Sequence, residues 1–458
     1  MDWTPTLSEW SGPIYLRLVE ALGADIAHGR LARGQQLPTQ RALSQALDID
    51  LTTVTRAYGE ARRRGLIEAR VGQGTFVSET TARSAQNIPF PVKIDLSMNV
   101  PPQPVEANLD MRIAKGFASI QSTASFSAFL NYQRPGGSDE EREVAASWLR
   151  ARLPEARTER VIIYPGNQAI LFNALLSLTS PGDVVLTEAL TYPGIKAAAA
   201  KLGVRLIGVE MDKEGVLPDA LAGACRRHRP KAVYLTPTQH NPTTATLGPE
   251  RRRAVARIID ENATFLIEDD AYGPLEPIVT PIARLIPERT YLAAGLSKCI
   301  APALRVSFLL APNAAAEQAM RSTLQATSQM PPRLMVALVI HWLKTGTAEQ
   351  IIQAIRNEAS GRQQLASRIL KGVSFASRPN AHHLWLSLPR HWNASGFASH
   401  ILRAGLAVVE SDAFALDQPA PQAVRVSLGA ARNRAELAQA LQLLAAAVDS
   451  PISVDQIV

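Results

Sequence analysis

Residues 295–307 read GLSKCIAPALRVS and close an apolar, strand-like run, YLAAGLS, over 291–297. A lone lysine is ordinarily a surface charge. Lys298 instead follows a strand with the composition of a buried one, where burial lowers the pKa of an amine and readies it for condensation with a carbonyl. Arg305, shortly after it, has the charge and fork geometry to clamp a phosphate. Other strand-like runs are VIIYP (161–165), VVLTE (184–188), LIGVEM (206–211), AVYLTP (232–237), TFLIEDD (264–270) and VSFLLAP (306–312), with helical stretches between many of them. That alternation predicts an α/β sandwich around a largely parallel sheet, with ligands where loops leave the strand ends.

Three further segments carry polar groups at such ends. In YPGNQAILFNALL (164–176) a strand breaks at Gly166 and a helix begins near Asn167 and Gln168. Free amides and the positive dipole end make a phosphate seat there, although an ordinary capped helix reads the same way. TPTQHNPTTATL (236–247) ends a strand with Asn241-Pro242, and IEDDAYGPL (267–275) ends another with Asp269, Asp270 and Tyr272. Carboxylates at buried strand ends mark a site or a metal. Without histidines or further carboxylates at ligand spacing, metal is the weaker option and none is expected; His240 reads as a loop residue.

Ahead of this region the sequence changes style. A helix is expected from 13 to about 28, with Ser11 near its cap, Gly29 past its end, and Ile14, Leu18, Leu22 and Ile26 as its buried stripe. Thr39 caps a second helix and Asp50 a third that ends at Gly65, after which LIEARVGQGTFV (66–77) reads as a hairpin around Gly72, Gln73 and Gly74. Three helices and a hairpin in this order make a winged helix-turn-helix. On the third helix Val54, Ala57, Tyr58 and Ala61 share one face, while Thr52, Arg56 and Arg63 share the opposite face, which suits the DNA major groove. Arg62, Arg63 and Arg64 read as a solvated helix end. The expected organisation is a DNA-binding domain at 1–78, a polar and then proline-bearing linker at 79–93, and a large domain at 94–458 with a smaller C-terminal subdomain.

Bulk properties agree with a soluble two-domain protein. The chain has 458 residues, 46% of them hydrophobic and 19% charged, which speaks against disordered and fibrous classes. Apolar runs such as 334–340 and 443–448 are far shorter than the ~20 residues of a membrane span. The N-terminal MDWTPTLSEWSG lacks the basic and apolar blocks of a secretory signal, so a cytoplasmic location without membrane partners is expected. Cys225 and Cys299 have no metal or disulfide spacing, and the net charge of +7 favours an anionic partner without identifying one.

LPTQRALSQALDIDLTTVTRAYGEARRRGLIEARVGQGTFV (37–77) resembles the GntR-type winged helix. The resemblance implies DNA contacts from Arg41, Thr52, Thr53 and Thr55, with wing contacts near Gln73 and Gly74; Leu51 departs from a position where a polar residue is frequent. From 94 onward the chain resembles fold-type-I pyridoxal phosphate (PLP) enzymes of the aspartate aminotransferase superfamily. That implies PLP as cofactor, an internal aldimine on Lys298, Asp269 against the pyridine nitrogen, and Asn241 and Tyr272 at the phenolic oxygen. Ser297, Arg305 and the Gly166-Asn167-Gln168 turn would bind phosphate, and Tyr192 would stack on the ring. Tyr132, in NYQRPGG (131–137), would reach the neighbour's phosphate in a homodimer, and Arg425, in VRVSLG (424–429), would grip an effector's carboxylate.

The fused pair resembles MocR-type regulators. The implied function is a PLP-dependent regulator of operator DNA that responds to an amino acid or amine forming an aldimine with PLP. At most vestigial transaminase activity is expected. The alternative is an active aminotransferase carrying a DNA-binding domain, and a cofactor-free dimerisation scaffold is disfavoured by the intact Lys298, Asp269 and Arg305. HNPTTATL (240–247) departs from those regulators, many of which carry a Gly after Pro-Thr, so a different effector pocket is expected there.

Overall fold

Residues 13–77 form three helices and a hairpin in the computed structural model, which describes residues 3–6, 13–27, 30–32, 34–63, 66–70, 74–77, 93–417 and 419–450. The chain divides into two units, Met1–Pro89 and Phe90–Val458. In the first, α1 spans Ile14–Ala27, α2 Gln40–Leu47 and α3 Leu51–Arg63. Strands β1 (Ile67–Arg70) and β2 (Gly74–Val77) pair antiparallel with Ile67 opposite Val77. The caps follow from side-chain chemistry: the Thr39 hydroxyl accepts from Ala42 N at 3.2 Å, and the Asp50 carboxylate accepts from Thr52 N at 2.7 Å at the start of α3. Leu18, Leu22, Leu43, Val54, Ala57, Tyr58 and Ala61 are buried together with Ile67 and Val77.

Two local expectations need comment. Ile14 is 42% exposed and does not extend the buried stripe, because it opens α1 a full turn before Leu18, the first packed residue. Ser11, Gly29, Arg64, Gly65, Gly72, Gln73 and the linker apart from Lys93 lie outside the described residues.

The second unit is built on a seven-stranded sheet. Its order is Val161–Tyr164, Ser307–Leu310, Thr290–Gly295, Phe265–Asp269, Ala232–Leu235, Val184–Glu188, Arg205–Val209. All neighbours are parallel except that Ser307–Leu310 runs antiparallel to both strands beside it. The strands are apolar on both faces because helices cover both. Ile162, Tyr164, Ala232, Tyr234 and Ile267 pack on the side of helices Asn167–Leu178 and Pro193–Leu202. Ile163 and Phe308 pack on the opposite side, as do Leu186, Val233 and Leu266. The run LIGVEM is interrupted: the sheet strand stops at Val209, and Met211–Asp212 joins a separate two-residue ribbon with Gly215–Val216.

A smaller antiparallel sheet follows, ordered Phe375–Ala376, His383–Ser387, Ala423–Ser427, Val409–Glu410. Helices Ala394–Arg403 and Arg434–Asp449 pack against it through Phe397, Ile401, Leu437 and Leu441. The segment opening the large unit is stitched to this subdomain, since Ile94–Asp95 pairs with Leu406–Ala407 and Ser427 N donates to Leu96 O at 2.9 Å. No helix among the described residues is long and apolar enough to cross a membrane.

Candidate functional site

The ends of the central parallel strands open on one pocket of about 150 Å³, continuous with solvent. Its wall brings together Asn167, Gln168, Tyr192, Asn241, Asp269, Tyr272, Ser297, Lys298 and Arg305.

At the floor lies Asp269, the last residue of its strand. Its carboxylate accepts from Asn167 Nδ2 at 2.8 Å, from the Tyr234 hydroxyl at 3.0 Å and from Ala271 N at 3.3 Å. Burial raises its pKa, while the Asn167 and Tyr234 hydrogen bonds pull it back down. Such a carboxylate suits a cationic N–H better than a metal, and no cluster with metal-ligand composition exists among the described residues. The adjacent Asp270 faces the other way, in an ion pair with Arg152 whose other amino group donates to Val279 O at 3.1 Å. It braces the loop.

Lys298 occupies one side. Its Nζ donates to the backbone oxygen of Asn99. Although part of the side chain faces the pocket, the crowding around the amine pushes its pKa down to about 8; desolvation is the main cause, the Arg425 charge adds to it, and Asp269 opposes it. About a tenth of the amine is therefore neutral and nucleophilic at pH 7, far more than for an unperturbed lysine.

The opposite end has the chemistry of an anion seat. Helix Asn167–Leu178 starts at Gly166 with no side-chain cap, and because Ala169 N is taken by Gly166 O at 3.1 Å, the amides of Asn167 and Gln168 are the ones left for another acceptor. Gly166 has φ of 99°, and a Cβ there would stand 2.9 Å from the Arg305 guanidinium, so only glycine lets Arg305 lie over this turn. Ser297 completes the wall, and Tyr192, at the start of helix Pro193–Leu202, borders it.

Arg425 lies behind Asn241 on the C-terminal sheet. It is buried, donates Nη1 to Asn241 Oδ1 at 2.9 Å and Nη2 to Ser97 O, and sits 5.1 Å from the Phe414 ring centroid. Among the described residues the groups that act on its charge are Tyr272 and Tyr192 rather than a carboxylate, and its Nε makes no hydrogen bond. Burial lowers its pKa. A buried arginine held by neutral groups keeps capacity for a carboxylate ligand.

Four contributors escaped the sequence reading: Tyr234, Asn99, His382 and His383. His382 Nε2 meets Lys298 O at 2.6 Å, and Asn99 Nδ2 lies 3.1 Å from His383 Nδ1. None has a local motif. Tyr132 is not brought to the pocket of its own chain; it is 82% exposed. His240 is fully enclosed, its Nδ1 2.8 Å from Thr243 Oγ1, and it supports the Asn241 loop.

On the first unit, Arg41, Thr52 and Thr55 are exposed, Thr53 is half-buried and Leu51 is 38% exposed. The Thr52 hydroxyl donates to Asp50 Oδ1 at 2.5 Å, and the Thr55 hydroxyl lies 2.8 Å from Gln40 Oε1. Arg56 is exposed as its position on the outer face requires, with its guanidinium 4.0 Å from the Tyr15 ring centroid. Gly74 has φ of +114°, and a Cβ there would meet Gln36 Nε2 at 2.9 Å.

Two family models match the chain: aminotransferase class I and II over residues 91–444, and bacterial regulatory proteins of the gntR family over residues 14–77. An uncharacterized HTH-type transcriptional regulator of Bacillus subtilis, YdeF, is 29% identical over 98% of this chain and 97% of its own. The probable rhizopine catabolism regulatory protein MocR of Rhizobium meliloti is 23% identical over 77% of this chain and 76% of its own. Among solved structures, the α-aminoadipate aminotransferase LysN of Thermus thermophilus, complexed with N-(5'-phosphopyridoxyl)-L-leucine, is 26% identical. It aligns with TM-score 0.71 over 78% of this chain and 92% of its own.

Proposed function

Because the chain belongs to the aminotransferase class I and II family and carries a GntR-type winged helix ahead of that domain, we propose that it is a transcription regulator that binds operator DNA and uses pyridoxal phosphate to sense an amino acid or amine. The observation that carries this reading is the convergence of Lys298, Asp269 and Arg305 on one pocket in a chain that also bears a DNA-binding module. Likeness along nearly the whole length to a protein named as a transcriptional regulator supports it.

The donor set fits the cofactor. Bound pyridoxal phosphate supplies a carbonyl that condenses with amines and a ring that takes up electron density. Lys298 Nζ would hold that carbonyl carbon, Asp269 would keep the ring nitrogen protonated, and Tyr192 would stack on the ring. Ser297, Arg305 and the turn at Gly166, Asn167 and Gln168 would take the phosphate. Asn241 presents its oxygen to Arg425, which leaves its amide N–H groups, with the Tyr272 hydroxyl, for the phenolic oxygen. Arg425 would grip an effector carboxylate. Arg41, Thr52, Thr53 and Thr55 would face DNA, with Gln73 and Gly74 in the wing. A homodimer in the cytoplasm completes the proposal, with the exposed Tyr132 serving the partner's phosphate.

A second reading, a working aminotransferase with a DNA-targeting module, is favoured by the depressed pKa of Lys298, which leaves an amine able to carry protons. One experiment separates the two. Full-length protein is titrated onto the DNA beside its own gene, with and without pyridoxal phosphate and across a panel of amino acids and amines, while keto-acid release is followed. A regulator changes its operator affinity by about 5- to 150-fold with one ligand class. Rapid turnover with no change in DNA binding establishes the aminotransferase instead.

A further inference from the structure

Asn99 sits where three parts of the pocket meet. Its backbone oxygen accepts from Lys298 Nζ, and its side-chain Nδ2 lies 2.9 Å from the Tyr272 hydroxyl and 3.1 Å from His383 Nδ1. His383 Nε2 in turn lies 3.2 Å from the backbone oxygen of His240. Asn99, Tyr272 and His383 are all buried.

Donor counting fixes the direction of this chain. A carbonyl oxygen can only accept, so His383 must carry its proton on Nε2. Burial and the neighbouring Arg425 charge hold the His383 pKa well below its ordinary value, which keeps the ring neutral. Nδ1 is then a bare acceptor and must receive a hydrogen from Asn99, which orients the amide with Nδ2 toward His383 and Tyr272. The Tyr272 oxygen accepts the other Nδ2 hydrogen. Its own proton is not used in that bond and is free to point into the pocket that Tyr272 lines.

We propose that Asn99 is a positioning residue for the cofactor: it holds the Tyr272 hydroxyl as an obligate donor toward the phenolic oxygen of the bound ring, using the neutral His383 as its anchor. The inference rests on the pyridoxal phosphate reading above. A donor at that oxygen stabilises its negative charge, so the pH midpoint of the bound cofactor's visible absorbance is held low. The titratable and charged groups facing Tyr272 are Asp269 at the end of the strand before it, Tyr192, Arg425, the rings of His382 and His383, and Lys298 across the pocket. The midpoint is read as a difference between variants in which these groups are retained.

The test is a spectral pH titration of the full-length chain loaded with pyridoxal phosphate. Asn99→Ala keeps the backbone oxygen that Lys298 uses and should raise the midpoint by about one unit. The near-isosteric Asn99→Asp should raise it further, because a carboxylate accepts the Tyr272 proton and turns it from the pocket. Both shifts should shrink in a Tyr272→Phe background, Asn99→Ala to nothing and Asn99→Asp to the effect of its charge alone. Shifts that persist at full size beside Tyr272→Phe, or an unchanged midpoint in both Asn99 variants, overturn the inference and leave the cofactor reading standing. Wild-type protein that gains no visible absorbance from pyridoxal phosphate overturns both.

Discussion

The pocket and the outer face of α3 are built in opposite ways. Around the pocket, residues as far apart in the chain as Asn99 and Arg425 are buried and each is held by several partners, Asn99 by Tyr272 and His383 and Arg425 by Asn241 and Ser97. The face of α3 is local: Thr52 and Thr55 are exposed, one helical turn supplies them, and their hydroxyls are bonded to Asp50 and Gln40 within the same small unit. Removing a buried, multiply bonded group leaves its partners unsatisfied, whereas removing an exposed one lets water take its place. Pocket substitutions should therefore act as switches and α3 substitutions as graded changes.

Lys298→Ala should give the largest effect, complete loss of the covalent visible absorbance with pyridoxal phosphate. Basal DNA binding should be unchanged, because the winged helix has its own buried core. Loss of both together, read by absorbance and by fluorescence anisotropy on the same preparation, would break the contrast between the regions.

Arg425→Ala comes next. Truncating one partner of a buried hydrogen-bonded charge pair costs about 2–5 kcal/mol, so the affinity for a carboxylate effector should fall by about 30-fold or more. Covalent cofactor binding and basal DNA binding should stay, while the pH midpoint of the visible absorbance moves, because the Arg425 charge acts on Lys298 and its guanidinium holds Asn241. Arg425→Lys should not rescue the response, since an ammonium cannot bridge Asn241, Ser97 and a carboxylate in one plane. A full response in either variant points to an amine effector.

A pH experiment sharpens the same comparison at Lys298. The neutral amine is the reactive form, so cofactor uptake by the unloaded protein should rise with pH through a midpoint of about 8 and then level off. That corresponds to about a tenfold increase in rate between pH 7 and 9. A rate still climbing steeply past pH 10 would show an amine that burial does not perturb.

How much of this was legible in the sequence follows the same division. The α3 face was readable because its period is local: Val54, Ala57, Tyr58 and Ala61 are buried together as their spacing requires. Each strand of the seven-stranded sheet was visible as an apolar run because both faces of that sheet are covered, whereas the strands of the smaller C-terminal sheet were not read from the sequence. The pocket was readable only as an ordered set of motifs. Tyr234 looked like any residue of a buried strand, yet its hydroxyl bonds a carboxylate 35 positions away. Asn99 and His383 are 284 positions apart, and no local pattern announces such a contact. Residue type alone did not separate Asp270 from Asp269; the resemblance chose Asp269, and the backbone aims it at the pocket and Asp270 at Arg152.

The smallest effects belong to the winged helix, and two substitutions there should differ in kind. Arg41 is exposed at the start of α2 and suits a phosphate contact, so Arg41→Ala should weaken operator binding several-fold and lower the salt slope of binding by about 1. Thr52 carries no charge, and its hydroxyl proton is committed to Asp50, which leaves only oxygen lone pairs to accept from a base or a bound water. Thr52→Ala should cost about 1 kcal/mol or less in operator binding, leave the salt slope unchanged, and reduce discrimination between operator and unrelated DNA. The cap survives the change, because Asp50 still accepts the backbone N–H of residue 52. Anisotropy titrations at several salt concentrations on both DNAs measure all three quantities. If Thr52→Ala flattened the salt slope while Arg41→Ala left it untouched, the two roles would be reversed, and α2 rather than α3 would carry sequence readout.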